Sequence, residues 1–199
     1  FKEAFKHDNT VLVEEFIKGK EYRFLVIGEE VVGILHRVPA NVVGDGVHTI
    51  KELVSLKNQD PLRGKGYRRP LEKIHLDETA RLFLKAQGLD FESIPEEGRC
   101  IYLRENSNIS TGGDSIDYTD LICDHFKQLA VEASHAVGAK ICGVDMMIEN
   151  VADSKSSYAV IELNFNPAIH IHSYPYKGKE RNIAHKILKL LGFLEKRPC

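Results

Sequence analysis

Short runs rich in branched and aromatic residues, broken by glycine and charged turn segments, occupy residues 11–17, 21–27 and 31–38. Such runs predict a meander of antiparallel strands that turns at Lys18-Gly19-Lys20 and at Gly28-Glu29-Glu30. The pattern then changes. Thr49-Ile50-Lys51-Glu52 has capping-box spacing, with Thr49 as N-cap and Glu52 reaching back, and predicts a helix to about Lys57. Residues 58–71 are polar, basic and rich in Gly and Pro, and read as a loop. Residues 77–87 predict a second helix, with Ala80, Phe83, Leu84 and Gln87 on one side. The clearest helical spacing follows Asp120, the expected cap, in Leu121, Ile122, Phe126, Leu129, Ala130, Ala133 and Val137. Gly138 should close that helix in the left-handed conformation. Residues 140–149 and 158–165 are two further β-prone runs around a polar loop, and 181–191 predict a final helix ending at Gly192. The order of elements is α+β, an antiparallel sheet flanked by helices.

The last two strands carry the most informative chemistry. If residues 140–149 and 158–165 form a hairpin centred on the loop between them, Asp145 lies across from Glu162. Residues two apart on a strand share a face, so Asn164 joins them. Two carboxylates and an amide carbonyl are hard oxygen ligands, which suit Mg²⁺ completed by water and phosphate oxygens. Zinc would want His or Cys, and the triplet has neither. A solvent-facing strand with scattered polar residues is the bland alternative. Against it, Asp145 and Glu162 are each set in an apolar run.

Composition narrows the class. The 199 residues suffice for one large domain or two small ones, and 43% hydrophobic with 28% charged is ordinary for a soluble protein. A net charge of -2 lacks the basic excess of a general nucleic-acid binder. No apolar run approaches the ~20 residues of a membrane span. Four cysteines (Cys100, Cys123, Cys142 and Cys199) without metal-type spacing suggest a reducing compartment, so the expected location is cytoplasmic. The chain begins at Phe1 without an initiator Met, and residues 1–7 read as the tail of an amphipathic helix already under way.

Taken in order, these pieces resemble the ATP-grasp superfamily. The run Val11-Leu12-Val13-Glu14-Glu15-Phe16-Ile17-Lys18-Gly19-Lys20-Glu21 is similar to its hinge strand. The resemblance implies that Glu14 takes the adenine amino group, the backbone at Phe16 and Ile17 the ring edge, and Glu21 the ribose hydroxyls. Asp145, Glu162 and Asn164 match the family's metal ligands, and Glu162-x-Asn164-x-x-Pro167 its closing signature. The segments 37–46 and 104–117 resemble two branches, the synthetase half of bifunctional glutamate–cysteine ligase/glutathione synthetases and the ATP-grasp part of cyanophycin synthetases. Residues 164–178 look like the former. The family's glycine-rich lid and its phosphate-holding lysines precede the hinge strand. Residues 1–10 are therefore expected to end a lid subdomain and 11–199 to form the C-terminal subdomain, inactive alone and completed by upstream parts of the same polypeptide.

The implied chemistry is ATP-dependent ligation with Mg²⁺ or Mn²⁺. A carboxylate attacks the γ-phosphate of ATP, and an amine attacks the resulting acylphosphate. The implied substrates are γ-glutamylcysteine and glycine; other peptide ligation, or a nucleotide-binding module without catalysis, are the alternatives. Positioning and charge neutralisation dominate such a step. Arg37 and Arg104 are candidate contacts to the transferred phosphate or a substrate carboxylate, because a guanidinium fork fits both; a surface ion pair is the plainer reading. Ser110, Thr111, Gly112 and Gly113 could present backbone N–H groups to an anion. Asn106 and Asn108 are candidate amide contacts to a peptide-like substrate, or turn formers. Lys65-Gly66-Tyr67-Arg68-Arg69 lacks the P-loop pattern and reads as a solvated loop. His170 and His172 alternate without a third nitrogen or sulfur ligand at hand, which favours a pocket or structural role over a metal site.

Overall fold

Alternation along the strands decides what each face of the sheet carries. The structure is a computed structural model that describes residues 4–6, 8–13, 15, 17–66 and 68–194. Its elements run β1 (Lys20–Ile27), β2 (Glu30–Val38), β3 (Asn41–Val43), α1 (Ile50–Lys57), β4 (Arg63–Gly64), β5 (Leu71–Glu72) and α2 (Glu78–Ala86). They continue with β6 (Cys100–Tyr102), β7 (Asp114–Asp117), α3 (Asp124–Ala136), β8 (Ile141–Ile148), β9 (Tyr158–Asn164), α4 (Ile169–Ser173) and α5 (Ile183–Leu190). Five strands form one antiparallel sheet in the order β7-β2-β1-β8-β9. Among the described residues no helix is long and apolar enough to cross a membrane.

On one face, Tyr22, Phe24, Val26, Ile34, Val144, Met146 and Ile148 are buried against Ile122, Phe126 and Ala130 of the α3 region. On the other face the intervening residues change character along the strands. Leu25, Ile27 and Val32 pack on Ile183 and Ile187 of α5, while Glu21, Arg23, Arg37 and Asp145 lie further along. The segment between β2 and β7 builds a second core of its own, with Val42, Ile50, Leu53, Ala80, Leu84 and Ile101. The site therefore sits where a charged sheet face meets this inserted layer.

Most predicted elements form, with three differences. Residues 11–17 were expected as a strand, yet among the described positions 11–13, 15 and 17 none is in one. The strand they lead into, β1, is already paired on both edges by β2 and β8, and Leu12 and Val13 are exposed rather than packed against the sheet. Glu14 and Phe16 lie outside the described residues. Asp120 does not cap α3: Cys123 holds that position, and Asp120 accepts from Arg181 at 3.0 Å instead. The loop over residues 58–71 contains β4, which pairs in parallel with β5 and ties the loop at its root. The capping box at Thr49 and Glu52 and the left-handed Gly138 (φ 69°) are both present.

Candidate active site

The sheet register builds the site. Arg23 of β1 stands opposite Asp145 of β8, and Asp145 stands opposite Glu162 of β9, so all three side chains emerge on one face. Arg23 donates Nε to Asp145 Oδ1 and Nη2 to Oδ2, a two-pronged fork. Arg37 Nη2 reaches the same Oδ2 at 3.0 Å and also pairs with the Glu21 carboxylate. The other oxygen of Glu21 accepts from the Ser107 hydroxyl. A line of alternating charge thus runs Arg23–Asp145–Arg37–Glu21, with Asp145 only 1% exposed. Each carboxylate is satisfied by a guanidinium, which is what makes this degree of burial tolerable.

Glu162 differs from Asp145. It is exposed, and among the described residues its side chain has no hydrogen bond or ion pair. Asn164, on the same face, has a buried amide nitrogen with no partner. Asp145 carries three N–H donors on its roughly four acceptor positions, which leaves one on Oδ1. One carboxylate with a spare lone pair, one free carboxylate and the carbonyl oxygen of the Asn164 amide are the hard donors that fit a divalent cation taking most of its ligands from elsewhere. The unpartnered Asn164 Nδ2 is a hydrogen-bond donor and would face an anionic oxygen instead. Among the described residues no three His, Cys, Asp or Glu side chains gather as a metal cluster.

Two cavities open on this face. The larger, 580 Å³, is bounded by Lys20, Glu21, Arg37 and Met147 of the sheet and by Phe83, Tyr102 and Arg104 of the inserted layer. The smaller, 330 Å³, is bounded by Arg23, Arg37, Arg69, Ser110, Glu162 and His170. Both lie within the size range of small-molecule sites. They share Arg37 and Asn108, so the guanidinium of Arg37 stands at the boundary between them.

Residues 103–191 match the model of the RimK-like ATP-grasp domain. Along 94% of its length the chain is 64% identical, over 190 residues, to the glutathione biosynthesis bifunctional protein GshAB of Clostridium perfringens, of which it covers 24%. The protein of the same name from Desulfotalea psychrophila is 56% identical over 193 residues, 96% of this chain and 25% of that one. A crystal structure of a bifunctional glutathione synthetase from Pasteurella multocida superposes with a TM-score of 0.80 at 50% identity, over 90% of this chain and 25% of that one. The chain is thus similar to ATP-grasp proteins: residues 103–191 match the domain model, and its fold follows that of the glutathione synthetase structure. It spans about a quarter of the length of the curated relatives it matches.

Within this ATP-grasp fold the remaining sequence candidates fall into place unevenly. Arg104 lines the larger cavity but gives its Nη2 to Asp77, the N-cap of α2, leaving its buried Nε unpartnered. Ile17 is half-buried and lies just before β1. Asn106 Oδ1 accepts from the Thr111 hydroxyl at 3.0 Å, a turn-forming role, and Asn106 borders the larger cavity, while Asn108 borders both. The N–H groups of Thr111, Gly112 and Gly113 are spent on Asn108 and Ile109 carbonyls within the turn, so they do not form an anion nest. Glycine is required at 112 by its φ of 94° and because a Cβ there would lie 2.7 Å from Ile74 Cα. Ser110 contributes instead by lining the smaller cavity.

Sequence reasoning missed Arg23. A lone charge inside the run Tyr22-Arg23-Phe24-Leu25 was the available signal, since alternation puts it on the face of Glu21. It also missed Asp114, which is buried and accepts from Arg63, from Lys57 Nζ at 2.7 Å and from Asn41 Nδ2 at 3.0 Å. Arg63 further donates Nη1 to the carbonyls of Glu72 (2.8 Å) and Gly112 (3.0 Å), and so fastens the inserted layer to the site. His36, at the larger cavity, is held down to about 4, first by burial and then by nearby Lys20.

Proposed function

We propose that this chain is the nucleotide- and metal-binding part of an ATP-dependent ligase that joins γ-glutamylcysteine to glycine through an acylphosphate. The observation that carries the reading is the Arg23–Asp145–Arg37–Glu21 line running from the larger to the smaller cavity, with Glu162 and Asn164 beside it. In this reading ATP occupies the larger cavity, its ribose near Glu21 and its adenine against the hinge at Glu14, Phe16 and Ile17. Arg37 stands where the γ-phosphate would cross between cavities, and Arg104 lines the cavity wall behind it.

Asp145, Glu162 and Asn164 would hold Mg²⁺ or Mn²⁺, which would neutralise charge on the β- and γ-phosphates. The chain's own contribution is placement. The donor carboxylate is brought in line with the γ-phosphorus, and its oxygen attacks as ADP leaves. The glycine amine then attacks the carbonyl carbon, and phosphate departs. Asn106, Asn108, Ser110 and the turn at Thr111, Gly112 and Gly113 shape the peptide side of this space. Residues 1–10 end the lid subdomain and 11–199 form the C-terminal subdomain. Other parts of the same polypeptide supply the lysines that face the phosphates.

The test uses the complete polypeptide with ATP, γ-glutamylcysteine and glycine, following ADP release and product mass. Glutathione formed in step with ADP supports the reading. Extension of an aspartate–arginine polymer in its place would assign the cyanophycin branch, and nucleotide binding without any ligation would reduce the site to a binding module.

A further inference from the structure

Three guanidinium groups border the smaller cavity, and they are not equivalent. Arg23 and Arg37 are committed to Asp145, and Arg37 to Glu21 as well. Arg69 is exposed, and among the described residues it has no ion pair and no hydrogen bond. Its placement is nevertheless built. The stem lies across Gly64, where an added Cβ would fall 2.6 Å from Arg69 Cγ and 2.9 Å from Arg69 Cβ. The strand beneath is fastened by the buried Arg63 to Asp114 and to two backbone carbonyls. Lys65 and Arg68 of the same loop border a neighbouring surface that Arg69 shares, but of these three only Arg69 also borders the smaller cavity.

From this we infer that Arg69 is a specificity-determining residue that captures a carboxylate of the ligase substrates in the smaller cavity. The inference rests on the ligase reading above. An unpaired planar fork at the mouth of a cavity suits a carboxylate, which it can bind through two parallel hydrogen bonds. Pro70, Ile109 and Ala168 beside it carry no charge. Of the two carboxylates that border the cavity, Glu72 accepts from the Gly66 N–H at 3.3 Å and Glu162, the exposed one, has the metal role in that reading. Two carboxylates could be the one held, that of the acceptor glycine or the α-carboxylate of the γ-glutamyl group, and the chemistry is the same for both.

Two measurements on the complete polypeptide decide it. In steady-state kinetics Arg69→Ala should raise KM for one substrate by about 10- to 100-fold, the range of a lost charge-assisted pair, with KM for ATP unchanged. A rise for glycine assigns the acceptor carboxylate, and glycinamide should then be used as well as glycine by the variant but much worse by the parent. A rise for γ-glutamylcysteine assigns the donor, with the same loss of discrimination against a donor lacking its α-carboxylate. Arg69→Lys should recover part of the loss, and Arg68→Ala should leave every KM unchanged. If Arg69→Ala alters neither substrate's KM, or chiefly raises that of ATP, the inference is wrong.

Binding of glutathione, followed by calorimetry, gives a readout independent of turnover. Parent binding that weakens about 10- to 100-fold in Arg69→Ala supports the inference. Equal binding by both overturns it while leaving the ligase reading intact. A parent polypeptide that neither binds glutathione nor makes it overturns both.

Discussion

Asp145 combines two demands that substitutions can separate. It compensates the buried Arg23 and the half-buried Arg37, and it is a proposed metal ligand. Glu162 carries only the second demand, because it is exposed and unpaired among the described residues. Asp145→Ala should therefore cost about 3–5 kcal/mol of stability by stranding Arg23, while Glu162→Gln should stay within about 0.5 kcal/mol. Both should lower turnover of the complete polypeptide by at least about 100-fold, in keeping with a lost charge-stabilising contact. Urea unfolding alongside the ADP-release assay checks the split. Equal stability losses in the two variants would mean that Glu162 is structurally engaged after all.

The imidazoles give a pH signature. His172 is buried, has no partner at either ring nitrogen, and is held down to about 3 by burial and by the positive charges of Arg23 and Arg37, with Asp117 opposing and His170 adding slightly. His36 is held down to about 4. Unfolded, both titrate near 6.5. As pH falls below that value the unfolded chain takes up protons that the folded chain refuses. Stability from these groups is full above about 6.5 and is lost progressively below, at up to about 1.4 kcal/mol per pH unit for each histidine. Comparing urea midpoints at pH 7 and pH 5 measures this, and His172→Leu should flatten the slope. An unchanged slope in that variant would show that His172 finds a proton acceptor on folding.

Single residues also join elements here. Asp77 caps α2 through the Ala80 N–H and takes Nη2 of Arg104, and both bonds hold its carboxyl below the usual range. Asp77→Ala should cost about 1–2 kcal/mol as a lost cap and should free Arg104 at the wall of the larger cavity, the proposed nucleotide site. Thr49→Ala in α1 removes a cap of the same kind from a helix that borders neither of the two site cavities. The expected result is a similar loss of stability for both, but a raised KM for ATP only in Asp77→Ala. If Thr49→Ala moved KM equally, the effect would come from general loosening of the inserted layer.

At the level of the whole fold, the described residues form three apolar clusters: one between the sheet and α3, a smaller one between the sheet and α5, and one inside the layer formed by β3, α1, α2 and β6. Asp114 of β7, paired with Arg63 and Lys57, ties that layer to the edge strand of the sheet. Such an arrangement should open in parts, with amides of α1 and α2 exchanging before those of β1 and β8. Leu84→Ala, at a fully buried site in the core of the inserted layer, should cost about 2–5 kcal/mol and speed exchange in that layer first. Hydrogen exchange resolved along the sequence reads this directly. Uniform acceleration in β1 and β8 as well would make the molecule a single cooperative unit.

Local chemistry was legible in the letters. The Thr49 capping box, the helix faces around Phe126 and Leu84, and the register that sets Asp145 against Glu162 all depend on residues near in sequence, whose spacing alone sets the geometry. The family wording from Asn164 onward, together with that register, was enough to point to the ATP-grasp fold. What required the folded chain was every relation between distant segments. Arg23 became a site residue only because β1 lies beside β8, more than 100 residues away, and Arg69 only because the β4–β5 root brings its loop to Ser110 and Glu162. The same holds for what went unseen. Residues 11–17 have strand composition, but a strand exists only where it pairs with a neighbour, and the described positions among them pair with none. The N–H groups of Thr111, Gly112 and Gly113 looked available for an anion until the turn itself consumed them. Sequence spacing sets which groups a segment can present. Packing decides which of them remain free.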